Sequence, residues 1–221
     1  MRLLLIRHGI AETREDFART GEGDDLRPLT RAGRRKMRRA ARGLRELVPA
    51  IDTLLTSPLV RARQTADIVA RVYGGPAPWE LEALRPERPP DELLHWLRAQ
   101  PGMPHEAPSG GEPRPDPRRA DGPRADDGPS GADGEGHDAT DGDDRASGGH
   151  AGGDVTIALV GHDPHLPTLL TWLVTGQREA WLGLRKGGAC LVEFRGPLEA
   201  GAGVIRWLVA PKVLRRLAKR R

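Results

Sequence analysis

The chain contains a single cysteine, Cys190, so no internal disulfide can form and a reducing compartment fits. Cys190 stands in the apolar run Ala189-Cys190-Leu191-Val192, the setting of a buried and unreactive thiol. Aromatic residues are scarce. The five Trp, two Phe and one Tyr are dispersed and offer no stacking surface for nucleic-acid bases. No apolar run approaches the roughly 20 residues that a bilayer span requires. The first apolar stretch stops at Arg7 and His8, too early for a signal peptide. A Walker loop, a His-Glu-x-x-His pair and a cysteine cluster are all missing, so neither a nucleoside triphosphate nor zinc is indicated. The expectation is a cytoplasmic monomer with no membrane association, no nucleic-acid partner, no metal and no cofactor.

One segment lacks almost everything a core needs. Residues 101–153 contain no Ile, Leu, Val, Phe, Trp or Tyr, and are built from Gly, Asp, Pro, Ala and Arg. Ordering each residue costs roughly 1–2 kcal/mol of backbone entropy, and nothing here can be buried to offset it. The composition predicts a disordered acidic insertion inside one domain formed by residues 1–100 and 154–221. Its 12 acidic and 5 basic residues leave it at −7, and the rest of the chain at +11 of a net +4. His137 and His150 lie at irregular spacing with no cysteine nearby, a poor metal tract. Replacing 101–153 with a short Gly/Ser linker is therefore expected to leave melting temperature and model-substrate turnover nearly unchanged. A tethered polyanion beside a basic body also predicts mild competition for an anion site. Deletion should then lower KM at low salt and not at high salt. A large fall in melting temperature would contradict the expected disorder, and equal KM values at low salt would contradict the competition.

What is present is organised around the first nine residues. Leu3 to Ile6 read as a buried strand running into Arg7, His8 and Gly9. Open α/β sheets place ligands at such strand ends. Arg7 offers an anion anchor beside an imidazole, and Gly9 lets a substrate approach closely. The pattern recurs at 155–164, where an apolar strand ends in Gly161-His162-Asp163-Pro164. Between them, Thr30 is a plausible cap for an arginine-covered helix carrying Met37, Ala40, Ala41 and Leu44 at helical spacing. A short strand around Leu54 and Leu55 ends at Pro58, and a helix begins near Leu59 with Arg61 in its first turn. Arginine there opposes the helix dipole, a penalty that a bound anion removes. Residues 10–25 read as an exposed loop. Helices are expected over 91–100, 165–175 and from Pro211, and a hairpin of strands over 189–194 and 204–209. Strands alternating with helices predict an α/β fold, a three-layer α/β/α sandwich with a mostly parallel sheet.

Arg7, His8, Arg61 and His162 would then share one pocket, suited to a dianionic phosphoryl group. Arg7-His8-Gly9, Leu29-Thr30-x-x-Gly33, Ser57-Pro58-x-x-Arg61-Ala62-x-Gln64-Thr65 and Gly161-His162-x-Pro164 occur in the order of the histidine phosphatase superfamily. Over residues 1–100 and 154–221 the chain resembles that superfamily's phosphoglycerate mutase-like fold, and within it the small phosphohistidine phosphatases of the SixA type. The resemblance implies that His8 attacks phosphorus, while Arg7, Arg61 and His162 hold the phosphoryl oxygens beside Gly9. Larger members add an acidic proton donor, for which Glu82 and Glu87 are the candidates here. The implied partner is a phosphohistidine-bearing protein such as a phosphotransfer domain, or a small phosphate ester. The alternatives are a small-molecule phosphomonoesterase of the same fold and a non-catalytic, basic nucleic-acid-binding protein.

Overall fold

In this computed structural model, which describes residues 1–100 and 155–218, Leu3, Leu4, Leu5 and Ile6 are all buried. They are buried because β1 (Arg2–Arg7) is covered on both faces. Alternation along the strand divides them. Leu4 and Ile6 pack with helices α2 (Arg31–Leu47), α3 (Val60–Tyr73) and α6 (Pro211–Leu217). Leu3 and Leu5 pack with α4 (Pro90–Arg98) and α5 (His165–Thr175) on the other side. The fold is thus the expected three-layer α/β/α sandwich.

The central sheet has the order β3 (Trp79–Glu80), β2 (Thr53–Thr56), β4 (Thr156–Gly161), β1, β5 (Ala189–Glu193), β6 (Val204–Val209). The ladders from β3 to β1 are parallel, and β5 is antiparallel to both β1 and β6. Register decides where the chemistry sits. Arg7 pairs with Gly161 and Thr56 with Val160, so β1, β4 and β2 end level with one another. His8, His162 and Ser57 are the next residues in each case. The His8 and Ser57 backbone N–H groups continue the ladder onto the Gly161 and Val160 carbonyls, at 3.0 Å each.

The expected elements agree with the structure to within about two residues, with two differences. The loop expected over 10–25 contains a one-turn helix, α1 (Arg14–Ala18), and a 3-10 turn, Asp24–Leu26. Thr13 caps α1 by accepting the Asp16 N–H at 3.1 Å, a signal too short and polar to show as periodicity. The two-residue strand β3 is set by pairing with Leu55 and Thr56, not by local propensity. Cys190 is fully buried, and burial pushes its thiol pKa up to about 12, in keeping with an inert residue. The acidic insertion expected over 101–153 lies outside the described residues.

Candidate active site

The imidazole of His8 is oriented before any ligand arrives. Its Nδ1 donates to the Gly9 carbonyl at 2.7 Å, because a carbonyl can only accept. That tautomer leaves the lone pair on Nε2. The backbone after it is tied to α3, since Gly9 N–H donates to Thr65 Oγ1 at 3.0 Å and that hydroxyl donates to the Arg61 carbonyl at 2.7 Å. His8 is 5% exposed, and burial pushes its pKa down to about 3. The hydrogen bond to Gly9 opposes the shift, and the charges of Arg61 and Arg7 add to it. The imidazole is therefore neutral near pH 7, with burial a larger cause than the flanking arginines.

His162 faces His8 with ring centroids 5.1 Å apart. Its Nε2 shares a 2.9 Å hydrogen bond with Oγ of Ser57, the residue that follows β2. Burial, then the neighbouring His8 and Arg61, push the pKa of His162 down to about 2. Both arginines are held from behind. Arg7 Nη1 donates to the Leu184 carbonyl at 2.7 Å and pairs with Asp163 at 2.9 Å. Arg61, 3% exposed, donates through Nη1 to the Asp24 carbonyl at 2.8 Å and pairs through Nη2 with the Asp24 carboxylate at 3.1 Å. Asp24 also takes Arg27 Nε at 2.7 Å. Partial burial works to raise the Asp24 pKa. The Arg27 hydrogen bond and the surrounding arginines outweigh it and hold the carboxyl below its usual range.

These contacts occupy the outer nitrogens only. Arg7 Nε, Arg61 Nε and His162 Nδ1 are all buried and have no hydrogen-bond partner. A buried donor without an acceptor costs roughly 1–3 kcal/mol, a cost that oxygens brought to this cluster would remove. The structure thus gathers Arg7, His8, Arg61 and His162, with Gly9 at the turn.

It does not gather the two acids in the same way. Glu82 and Glu87 have side chains 64% and 60% exposed, and both pair with Arg85, at 2.6 and 3.5 Å. Arg85 in turn holds Asp25 at 2.8 Å. Glu82→Gln and Glu87→Gln are each expected to leave kcat within about twofold, against the 10²- to 10⁴-fold loss that removal of a general acid brings. A loss of the larger size in either variant would identify the donor.

Several residues of the site carry no chemical signature in the sequence. Ser57, Gln64 and Thr65 belong to the third motif, and each has a distinct task. Gln64 Oε1 accepts the Leu29 N–H at 2.8 Å, joining α3 to the start of α2. Arg27, 6% exposed and directed at Asp24, is marked only by its place before Pro28-Leu29-Thr30. Asp24 and Asp163 could not be told from surface acids, because only the fold brings them to the arginines. Thr30 caps α2 through the Gly33 N–H at 2.8 Å, and a Cβ on Gly33 would collide with the Ile10 carbonyl. That explains the Thr-x-x-Gly spacing.

Residues 3–109 match the family model of the histidine phosphatase superfamily (branch 1). An uncharacterized protein of Picosynechococcus sp. is 41% identical over 97 residues, which are 44% of this chain and 56% of that protein. The mitochondrial serine/threonine-protein phosphatase Pgam5 of Drosophila virilis is 37% identical over 67 residues, 30% of this chain and 21% of its own length. The chain therefore spans about half of the first relative and a fifth of the second. Among solved structures, the protein histidine phosphatase SixA complexed with tungstate superposes with a TM-score of 0.62 at 20% identity, covering 97% of this chain and 99% of that one. The alpha-ribazole phosphatase from Shigella flexneri gives 0.52 at 18% identity, covering 96% and 97%. At these identities the likeness is one of fold.

Proposed function

The chain belongs to the histidine phosphatase superfamily, and from that premise we propose that it is a phosphatase working through a phosphohistidine on His8, with protein phosphohistidine as its substrate. The observation that carries this reading is the set of three buried, unpartnered nitrogens, Arg7 Nε, Arg61 Nε and His162 Nδ1, beside the free Nε2 of His8; Nδ1 of His162 is a donor in the tautomer whose Nε2 accepts the Ser57 hydroxyl. Three donors match the three non-bridging oxygens of a phosphoryl group.

In the first step Nε2 of His8 forms a bond to phosphorus, and the bond from phosphorus to the leaving group breaks with its electron pair going to the leaving atom. The arginines and His162 hold the equatorial oxygens as charge spreads over them. In the second step water attacks the phosphoimidazole, the N–P bond breaks, inorganic phosphate leaves and neutral His8 is restored. Guanidinium groups already fixed by Asp24, Asp163 and the Leu184 carbonyl need no reorganisation as the reaction proceeds.

The leaving group decides the substrate class. An alkoxide requires a proton as it departs, and Glu82 and Glu87 are both engaged by Arg85 at the surface. The imidazole of a phosphohistidine takes its proton from solvent before the bond breaks, so it needs no enzymic donor. This favours protein phosphohistidine over a small phosphomonoester. The test is a panel at equal enzyme concentration: a phosphorylated histidine phosphotransfer domain, p-nitrophenyl phosphate and several sugar phosphates. The reading predicts the highest kcat/KM for the phosphohistidine protein. A sugar phosphate in first place would make the enzyme a small-molecule phosphomonoesterase.

A further inference from the structure

Beside the nucleophile, the turn Leu184–Gly188 is pinned to β1 by the backbone. The Gly187 N–H donates to the carbonyls of both Arg7 and His8 at 3.0 Å, and Arg7 N–H donates to the Gly188 carbonyl at 3.2 Å. Gly187 has φ +75°, a conformation that favours glycine, and Gly188 N–H closes the turn on the Arg185 carbonyl at 2.7 Å. Lys186 is thereby fixed next to His8, although no motif announces it.

Two glycines of α2 bring further cations to the same place. Gly33 lets the first turn of α2 press on the Ile10 carbonyl, which carries Lys36 to the rim of the site. Gly43 lets α6 approach through the Leu214 carbonyl, and Arg215 follows Leu214. Lys36, Lys186 and Arg215 consequently line one depression together with Gly9 and Ile10. None of the three side chains has an ion-pair or hydrogen-bond partner among the described residues. The depression encloses a volume of about 10 Å³, room for one water and not for the body of a small molecule. A partner surface that lies across the depression can meet all three cations at once. The phosphoryl oxygens do not need them, since the three buried donors already match those oxygens.

We propose that Lys36, Lys186 and Arg215 form a docking rim for acidic side chains on the protein that carries the phosphohistidine. The rim rests on the reading of a protein phosphohistidine substrate. It supplies an attraction that depends on the partner's surface beyond the phosphoryl group. Charges at the edge of an interface act chiefly on encounter and register, and salt screens them.

The experiment compares the wild type with the triple variant Lys36→Gln, Lys186→Gln, Arg215→Gln. The substrates are a phosphorylated histidine phosphotransfer domain with Asp and Glu around its phosphohistidine, the same domain with those acids changed to Asn and Gln, and p-nitrophenyl phosphate. The variant should lose roughly tenfold in kcat/KM on the acidic domain at low salt, the lower end of electrostatic steering effects. The loss should shrink at high salt and be small on the neutralised domain. Turnover of p-nitrophenyl phosphate should be unchanged, which also shows that the variant is folded. A wild type that hydrolyses p-nitrophenyl phosphate but not the phosphodomain overturns the substrate reading, and the rim with it. A wild type active on the phosphodomain, with a variant equally active on it at low salt, overturns the rim alone. A variant that loses both substrates equally places these residues in the fold or the chemistry, and also overturns it.

Discussion

His8→Ala is expected to abolish turnover and the acid-labile phosphoenzyme together, because His162 lacks the geometry of a nucleophile. The Nε2 of His162 is engaged by Ser57, whereas that of His8 is free. Rapid quenching with labelled phosphoprotein, followed by an acid-lability assay, reads both quantities. A phosphohistidine that persists in the variant would assign the attack to His162. At Arg61 the expected loss for Arg61→Ala is roughly 3–4 kcal/mol of transition-state stabilisation, the scale of one preorganised donor. Arg61→Lys should remain poor. A guanidinium holds Asp24 through two nitrogens and keeps a buried Nε unpartnered for a ligand, and one ammonium cannot do both. Near-native rates for the lysine variant would reduce Arg61 to a diffuse positive charge.

Stability is expected to fall steeply below pH 6.5. His8, His162 and His165 are all at least 95% buried, and burial pushes their pKa values down to about 3, 2 and 4. The unfolded chain titrates its histidines near 6.5, so between pH 6 and pH 4 it binds protons that the folded chain refuses. Folding stability therefore rises with pH across that window and is lost as pH falls. Each histidine contributes about 1.4 kcal/mol per pH unit, so the three together approach about 4 kcal/mol per unit. Urea unfolding at several pH values measures the slope. His165 separates this effect from catalysis, because neither of its ring nitrogens has a partner and it takes no part in the proposed steps. His165→Leu should remove about a third of the slope. An unchanged slope would mean that His165 protonates without opening the fold.

The same burial shapes the rate profile. With the His8 pKa near 3, the nucleophile is neutral throughout the neutral range. Loss of the fold, not protonation of the nucleophile, is then expected to limit activity on the acid side.

Much of this was legible in order along the chain. The apolar run Leu3–Ile6, the paired strand-end histidines and the four motifs point to the superfamily, to the sandwich and to Arg7, His8, Arg61 and His162 as candidate site residues. They are legible because each rests on local chemistry: a buried run, a glycine that turns the chain, an arginine at the start of a helix. The α1 turn and β3 were not legible, since a single capped turn and a two-residue strand are too short for periodicity to register.

Residue identity alone thus determined the fold class and named the residues proposed as nucleophile and phosphoryl-binding set. Tertiary structure alone decided which nitrogen of His8 is free, which donors are left unpartnered and which acids stand behind the arginines. Asp24 reaches Arg61 across 37 residues of chain, and Leu184 reaches Arg7 across 177. Lys186 likewise lies beside His8 only because β5 pairs with β1 and the turn before it folds back onto the strand end. Such contacts depend on strand register and helix packing, which no window of neighbouring residues contains. The orientation of a guanidinium or an imidazole follows from them, and in the proposed function it is this orientation that makes four recognisable side chains a site for phosphorus.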